Sequence, residues 1–214
     1  MSEDIQIPNT EKKNYNLSSF FSNNIKSIIT IVIIILFSLF VFFFYLDYKK
    51  NKKIEVSESY NLAVSNYKQE NPNASILELK NVINIKDKTY SPLALYFLLD
   101  NNLITDRNEI NQYFDILIED VDLDKEIKNL IIYKKGLFNS NKANEEELLK
   151  IFNPLISSSN LWRSHSLYIL AEYYFSKNEM VKSKEFFQKI IELDTSNPQI
   201  KLEAQKRLQR DFSE

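Results

Sequence analysis

The segment Ser27–Leu46 constrains this chain more than any other part of its sequence. It carries no charge, and all of its residues except Ser27, Thr30 and Ser38 are apolar or aromatic. At about 1.5 Å of rise per residue, a helix of this length is about 30 Å long, which matches the hydrocarbon core of a bilayer. A helix buried in a soluble core keeps a polar face, and this segment has none. The sequence therefore predicts a transmembrane helix over residues 26–47.

A cleaved signal peptide is the main alternative for this segment. The apolar run is longer than the signal-peptide core of about 7–15 residues, and it ends in Tyr45-Leu46-Asp47-Tyr48 rather than in small residues. We therefore expect the helix to remain attached to the mature chain as an anchor.

Lysines lie on both sides of the predicted span. Three precede it and four follow it, namely Lys12, Lys13 and Lys26, then Lys49, Lys50, Lys52 and Lys53. This margin slightly favours a cytoplasmic C-terminal side but does not decide the orientation, because long following domains translocate largely regardless of flanking charge. The Lys-rich juxtamembrane segment 48–54 is either a solvated boundary of the span or a contact with anionic headgroups. Residues 1–25 are expected to form a short disordered tail.

Residues 55–214 have the pattern of short helices separated by turn-forming residues. The chain contains one Gly and no Asn-Gly or Asp-Gly pair, which argues against a hairpin-rich β fold. Turn signals and apolar spacing predict nine helices, at about 55–70, 75–86, 92–102, 107–119, 124–139, 144–157, 161–177, 179–193 and 198–211. Connections of a few residues predict antiparallel neighbours, so the expected fold class is all-α.

Apolar positions recur at a nearly constant spacing in every second predicted helix. The first set is Leu79, Phe114, Leu149 and Phe187, and a second set lies three residues further on, at Val82, Leu117, Phe152 and Ile190. Paired helices with a period of about 34 residues are typical of tetratricopeptide repeats. In the best-defined unit, about 164–197, small residues at Ala171 and Ser183 allow close helix approach. We predict a tetratricopeptide-like solenoid of helical hairpins over 55–214, closed by a C-terminal capping helix.

Composition argues against several kinds of chemistry. With no Cys, one His and one Gly, the chain lacks thiolate nucleophiles, the usual zinc ligand sets and glycine-rich phosphate loops. The net charge of −2 shows no excess of basic residues that would attract nucleic acid. Glu119–Asp124 lacks the Gly and the bidentate Glu of a calcium loop, and His165 lies among serines without a nucleophile motif. We expect no enzyme activity, no metal, no cofactor, no nucleic-acid partner and no small-molecule substrate.

Two parts of the chain carry a likeness to a known family. Residues 89–94 read Thr-Tyr-Ser-Pro-Leu-Ala, similar to a T-Y-x-x-L-A segment, and further matches occur at 160–162, 171–172, 176–179 and Phe187. With the anchor and the repeats, they resemble the YfgM-like family of bacterial membrane-anchored proteins, which are ancillary subunits of the Sec translocon. The resemblance implies a single-pass protein of the inner membrane with a cytoplasmic N-terminus and a periplasmic solenoid. Its partners would be translocon subunits or exported polypeptides.

A solenoid of this kind binds partners on the concave face lined by the first helix of each pair. The repeat register places six residues there, namely Leu95, Leu99, Lys134, His165, Tyr168 and Glu172. Leu95 and Leu99 suit internal packing equally well, so both roles stay open for them. The leading hypothesis is a membrane-anchored protein–protein interaction module of the bacterial cell envelope. The alternative is a structural subunit or scaffold of another multisubunit membrane complex.

Overall fold

A computed structural model of the chain describes residues 17–68 and 72–212, and all regular secondary structure in these two ranges is helical. The predicted all-α class is therefore confirmed. The chain divides into two compact units, with the boundary between Lys53 and Ile54.

The described residues contain nine α-helices and one short π-helical segment. The α-helices are α1 (Leu17–Lys68), α2 (Pro72–Asn84), α3 (Tyr90–Asp100), α4 (Arg107–Asp115), α5 (Lys125–Asn139), α6 (Glu145–Ile156), α7 (Arg163–Ser176), α8 (Met180–Glu192) and α9 (Pro198–Phe212). The π-helical segment, Ile116–Asp120, continues directly from α4. The predicted helices from residue 75 onward correspond in order to α2–α9.

Helix α1 is longer than the sequence analysis predicted. It runs without a break for 52 residues, through residues 17–25 of the expected tail and through the Lys-rich segment 48–54. The predicted helix at 55–70 is therefore the last part of α1 and not a separate element. Neither Gly nor Pro occurs between Leu17 and Lys68, so nothing in this stretch terminates a helix. The rest of the predicted tail, residues 1–16, lies outside the described residues.

In the first unit, the apolar part of α1 has its side chains exposed. Exposure ranges from 44% at Leu46 to 69% at Phe40 and Phe44. Within the described residues this is the one helix long and apolar enough to cross a membrane, and none of its apolar window is buried. Contiguous apolar surface of this extent is rare on monomeric soluble proteins.

In the second unit, the helices pack mainly on their neighbours in the chain. The most extensive contacts are between α7 and α8, α2 and α3, α8 and α9, and α5 and α6. Helices two apart in the chain also touch, namely α5 with α7 and α7 with α9. The core forms two clusters, one extending from Val56 to Ile131 and the other from Ile132 to Ala204. The division lies within α5, and the side chain of Ile118 packs against both clusters.

The apolar positions of the sequence period lie in these two clusters. Seven of the eight are exposed by 1% or less, and Leu149 is partly buried. Full burial of a Leu, Ile or Phe side chain contributes about 1.5–3 kcal/mol. The spacing seen in the sequence therefore corresponds to the positions that hold neighbouring helices together.

Two pairs of helices approach closely by different means. Between α7 and α8, the hydroxyl of Ser183 is buried and donates to the carbonyl of Ala171 at 2.9 Å. Between α5 and α6, the ring of Phe152 lies against the backbone of Gly136, where a Cβ atom would be 2.2 Å from Cζ of that ring. The single Gly of the chain is therefore required by the close contact between α5 and α6.

Two asparagines take the left-handed positions that glycine often occupies after a helix. Asn102 follows α3 with φ of 53°, and Asn178 follows α7 with φ of 61°. In both turns the next amide bonds back to the helix, Leu103 N to the carbonyl of Leu98 at 2.8 Å and Glu179 N to that of Tyr174 at 2.9 Å. These are Schellman-type ends, and they turn the chain sharply into the next helix.

Candidate protein-binding surface

The two predicted binding leucines lie on α3. Leu95 is fully buried and Leu99 is partly buried. Both pack in the core cluster that extends from Val56 to Ile131. Leu95 therefore contributes to packing and not to a surface that a partner contacts. Of the two roles left open for Leu95, its burial supports packing.

His165 lies in a compact group of rings contributed by α5 and α7. The rings of Tyr133 and Trp162 stack with centroids 5.1 Å apart, and the imidazole of His165 lies 5.8 Å from the first and 5.4 Å from the second. All three side chains are half-buried. We refer to Tyr133, Trp162 and His165 as the aromatic cluster.

The surroundings of His165 favour its neutral form. Burial lowers the pKa of the imidazole, and the nearby backbone of Leu161 offsets part of this effect. The serines beside it are engaged elsewhere, since Ser166 donates to the carbonyl of Trp162 at 2.9 Å and Ser164 accepts from the amide of Asn197 at 3.2 Å. The rings of Tyr133 and Trp162 therefore flank the imidazole.

Lys134 lies beside a tyrosine of α3. Its exposed ammonium group is 4.6 Å from the centre of the Tyr96 ring, a cation–π geometry. The Tyr96 hydroxyl is buried without a hydrogen-bond partner in the described residues. Burial, with a smaller effect from the Asp100 carboxylate, raises the pKa of Tyr96 to about 12. The Tyr96 side chain is therefore neutral, and its ring contacts the ammonium group of Lys134.

Tyr168 and Glu172 lie where α7 meets α9. Nε of Arg207 is 2.9 Å from Oε1 of Glu172, and the guanidinium group lies over the ring of Phe175 at 4.3 Å. The ring of Tyr168 contacts that of Phe187 at a centroid distance of 5.5 Å. Glu172 therefore helps to attach α9 to α7 and is already neutralised, while Tyr168 packs against α8.

Two exposed leucines extend the aromatic cluster. Leu161 precedes Trp162 and is 71% exposed, and Leu137 lies one helical turn after Tyr133 and is 46% exposed. We define the α5–α7 surface as the aromatic cluster together with Leu137 and Leu161. Half-buried rings beside exposed leucines suit an apolar or aromatic side chain of a partner.

Sequence reasoning missed Tyr133 and Trp162, although signals for both were present. A step of 35 residues, the spacing that separates Gly136 from Ala171, leads back from Tyr168 to Tyr133, whereas a step of 34 residues leads to its neighbour Lys134. Trp162 is the only Trp of the chain and lies three residues before His165, on the same helical face.

A concavity of about 540 Å³ lies among α4, α5 and α6. Several of its polar groups pair with one another. Arg107 bonds to Oε2 of Glu147 at 3.2 Å, and the amides of Asn111 and Asn139 exchange hydrogen bonds of 2.7 and 3.2 Å. Asn139 is 1% exposed and also donates to the carbonyl of Lys135. These paired groups connect α4 with α5 and with α6.

Residues 25–67 and 72–212 contain no group of three or more His, Asp or Glu side chains placed to hold a metal ion. Comparisons with protein-family models, with curated proteins and with solved structures give no match to this chain.

Proposed function

We propose that this chain is a membrane-anchored protein–protein interaction module that binds exposed apolar segments of other polypeptides on its α5–α7 surface. The observation that carries the proposal is the stacked pair Tyr133–Trp162 beside Leu161, which is 71% exposed. Aromatic residues in partly exposed, packed positions are typical anchors of protein interfaces.

The second unit is proposed to be a tetratricopeptide-like solenoid. Buried small residues recur at nearly the interval of the apolar positions, namely Gly136 on α5, Ala171 on α7 and Ala204 on α9. Contacts of α5 with α7 and of α7 with α9 are those expected between the first helices of successive repeats. In this arrangement the α5–α7 surface faces the concave side, and α9 is the first helix of an incomplete unit that covers the end.

The apolar part of α1 is proposed to cross the membrane once. Its exposed side chains and the uncharged run from Ser27 to Leu46, long enough to span a hydrocarbon core, support this role. A membrane tether raises the effective concentration of the second unit near other membrane complexes, so individually weak contacts are sufficient for binding.

The resemblance to the YfgM-like family supplies the proposed setting. The N-terminus would lie in the cytoplasm and the second unit in the periplasm of a bacterial inner membrane, close to translocon subunits and exported polypeptides. Protease added to spheroplasts should then degrade residues 54–214. Protection until lysis would reverse this orientation.

Trp162 allows the binding proposal to be tested directly. Because it is the only Trp, its fluorescence reports on the α5–α7 surface alone. We expect a saturable change in emission when the full chain, in detergent micelles, is titrated with a permanently unfolded Trp-free polypeptide. Replacing Leu161 with Ser should weaken this binding about tenfold, because burial of one leucine contributes about 1.5 kcal/mol or more.

Val181 provides a matched control for this experiment. It is 74% exposed, on α8 and outside the α5–α7 surface. The Val181→Ser variant should bind like the unsubstituted chain. If both variants bind equally, or if titration leaves the emission unchanged, the α5–α7 surface is not the binding site.

Crosslinking distinguishes this function from the structural-subunit alternative. A photoreactive residue at position 161 should capture many different polypeptides in intact membranes if the surface binds passing chains. Capture of one fixed set of membrane subunits would instead favour a role as a scaffold.

A further inference from the structure

A cluster of lysines directly follows the apolar part of α1. The four are Lys49, Lys50, Lys52 and Lys53. All are exposed, and none has an ion-pair partner within the described residues. At about 100° of rotation per residue they occupy an arc of about 160° on one side of the helix. We refer to these four residues as the lysine face.

The opposite side of the same turns is neutral or acidic. Asp47 and Asn51 lie outside the arc, and Nδ2 of Asn51 donates to Oδ2 of Asp47 at 3.2 Å. The carboxylate is therefore engaged by an amide rather than by a lysine. The positive charge is concentrated on one side and is not neutralised from within the helix.

The position of the lysine face along α1 matches the headgroup layer of a bilayer. Leu46 is the last residue of the apolar run, so the lysines lie about 4–11 Å beyond it along the helix. Headgroups add about 5–8 Å on each side of the hydrocarbon core. Tyr45 and Tyr48, 57% and 60% exposed, occupy the boundary that amphipathic aromatic residues prefer. Lysine side chains can extend along the helix and reach the phosphates.

We propose that the lysine face binds the phosphate groups of anionic phospholipids at the membrane surface. The inference rests on the membrane anchor of the proposed function. Each lysine close to an anionic surface strengthens binding by a factor of about five. Four lysines on one side give a local selectivity for anionic over zwitterionic lipids around α1. Inorganic phosphate offers the same charge without a surface, and the apolar run beside the lysines favours the lipid.

The test uses the full chain reconstituted in phosphatidylcholine bilayers. Spin-labelled phosphatidylglycerol or spin-labelled phosphatidylcholine is added, and the fraction of motionally restricted label gives the relative association of each lipid with the protein. We expect the unsubstituted chain to prefer phosphatidylglycerol. Replacing all four lysines of the lysine face with Gln should reduce this preference at least fivefold, and replacing them with Arg should preserve it.

A matched control removes the same charge elsewhere. Four exposed lysines of the second unit, without ion-pair partners in the described residues, are replaced with Gln in that control: Lys88, Lys125, Lys150 and Lys184. This variant should keep the full preference. An unchanged preference in the variant of the lysine face, or an equal loss in the control, would overturn the inference.

Two further outcomes show whether a negative result concerns the lipid, the membrane anchor or the lysine face. Inorganic phosphate and chloride at equal ionic strength should weaken the preference equally, and a loss specific to phosphate would indicate a phosphate site rather than a lipid surface. If neither lipid is motionally restricted, the chain has not entered the bilayer and the proposed anchor is wrong. Restricted lipid without selectivity would contradict only the role of the lysine face.

Discussion

Replacing Phe187 with Ala tests the C-terminal core cluster most directly. The side chain is fully buried on α8. Its ring centroid is 5.5 Å from that of Tyr168 on α7 and 6.1 Å from that of Phe212 on α9, so it connects three helices. Truncation of a buried Phe typically costs about 3–5 kcal/mol through lost burial and the remaining cavity. Because three helices surround this site, we expect a loss of about 4 kcal/mol in the free energy of unfolding.

Hydrogen exchange on the full chain in detergent micelles should show where stability is lost. Phe187 belongs to the cluster that begins at Ile132, while α2–α4 contribute to the other cluster. Since each cluster opens with its own free energy, we expect protection to fall first across α7–α9. Helices α2–α4 should keep their protection in the same sample.

The His165→Ala variant serves as the comparison. The sequence alone predicts a change of less than about 0.5 kcal/mol, as for a surface residue. The contacts of His165 with Tyr133 and Trp162 raise this expectation to about 1 kcal/mol, because each aromatic pair contributes about 0.5–1.5 kcal/mol. Equal losses in the two variants, or a uniform loss of protection from α2 to α9 in Phe187→Ala, would refute the reasoning.

Three other predictions concern local features of the second unit. Gly136→Ala should lower the free energy of unfolding by about 1–3 kcal/mol in denaturant titrations, because its Cβ would overlap the ring of Phe152. Asn178→Val should cost at least about 1 kcal/mol in the same assay, since a β-branched residue tolerates φ of 61° poorly. Stability should fall as the pH drops below 6.5, because the lowered pKa of His165 makes the folded state bind its proton less readily. His165→Asn should remove this dependence in thermal melts at different pH values, since the chain has no other His.

The positions of the later helices could be predicted well from the sequence, because their ends carry strong local signals. Predicted and observed bounds of α5–α9 agree within two residues. The start of α2 was predicted three residues too late, at 75 instead of Pro72. Pro72 and Pro198 are the first residues of α2 and α9, in accord with the preference of Pro for the first helical turn. The sequence Asn71-Pro72-Asn73 carries a turn signal, and this signal competes with the preference of Pro for a helix start.

The extent of α1 and the aromatic cluster were harder to predict. The polar, Lys-rich residues 48–54 suggested a break in the helix, but polarity alone does not terminate a helix that lacks Gly and Pro. The contact of Tyr133 with Trp162 joins α5 to the start of α7, across the whole of α6. Such a contact depends on how three helices pack, and no local pattern in the sequence encodes it.

Glu145 shows how this chain departs from the proposed repeat pattern. It stands at the position that Ser183 occupies in the next unit, where the repeat pattern calls for a small residue. The close approach of α5 and α6 occurs instead at Gly136, and Glu145 is free to contact the next helix pair. Its Oε1 accepts hydrogen bonds of 2.9 Å from the Tyr174 hydroxyl and the Lys182 ammonium group.

Glu145→Ala, although closer to the repeat pattern, should therefore destabilise the chain. Lys182 and the Tyr174 hydroxyl lower the pKa of Glu145, so its contribution is present above pH 4.5 and is lost as the pH falls below that value. We expect thermal melts of Glu145→Ala and the unsubstituted chain to differ at neutral pH and to converge in acid. Glu146→Ala, at an exposed neighbour without an ion-pair partner in the described residues, is the control and should melt like the unsubstituted chain throughout. A Glu145→Ala variant as stable as this control would mean that Glu145 does not link the helix pairs.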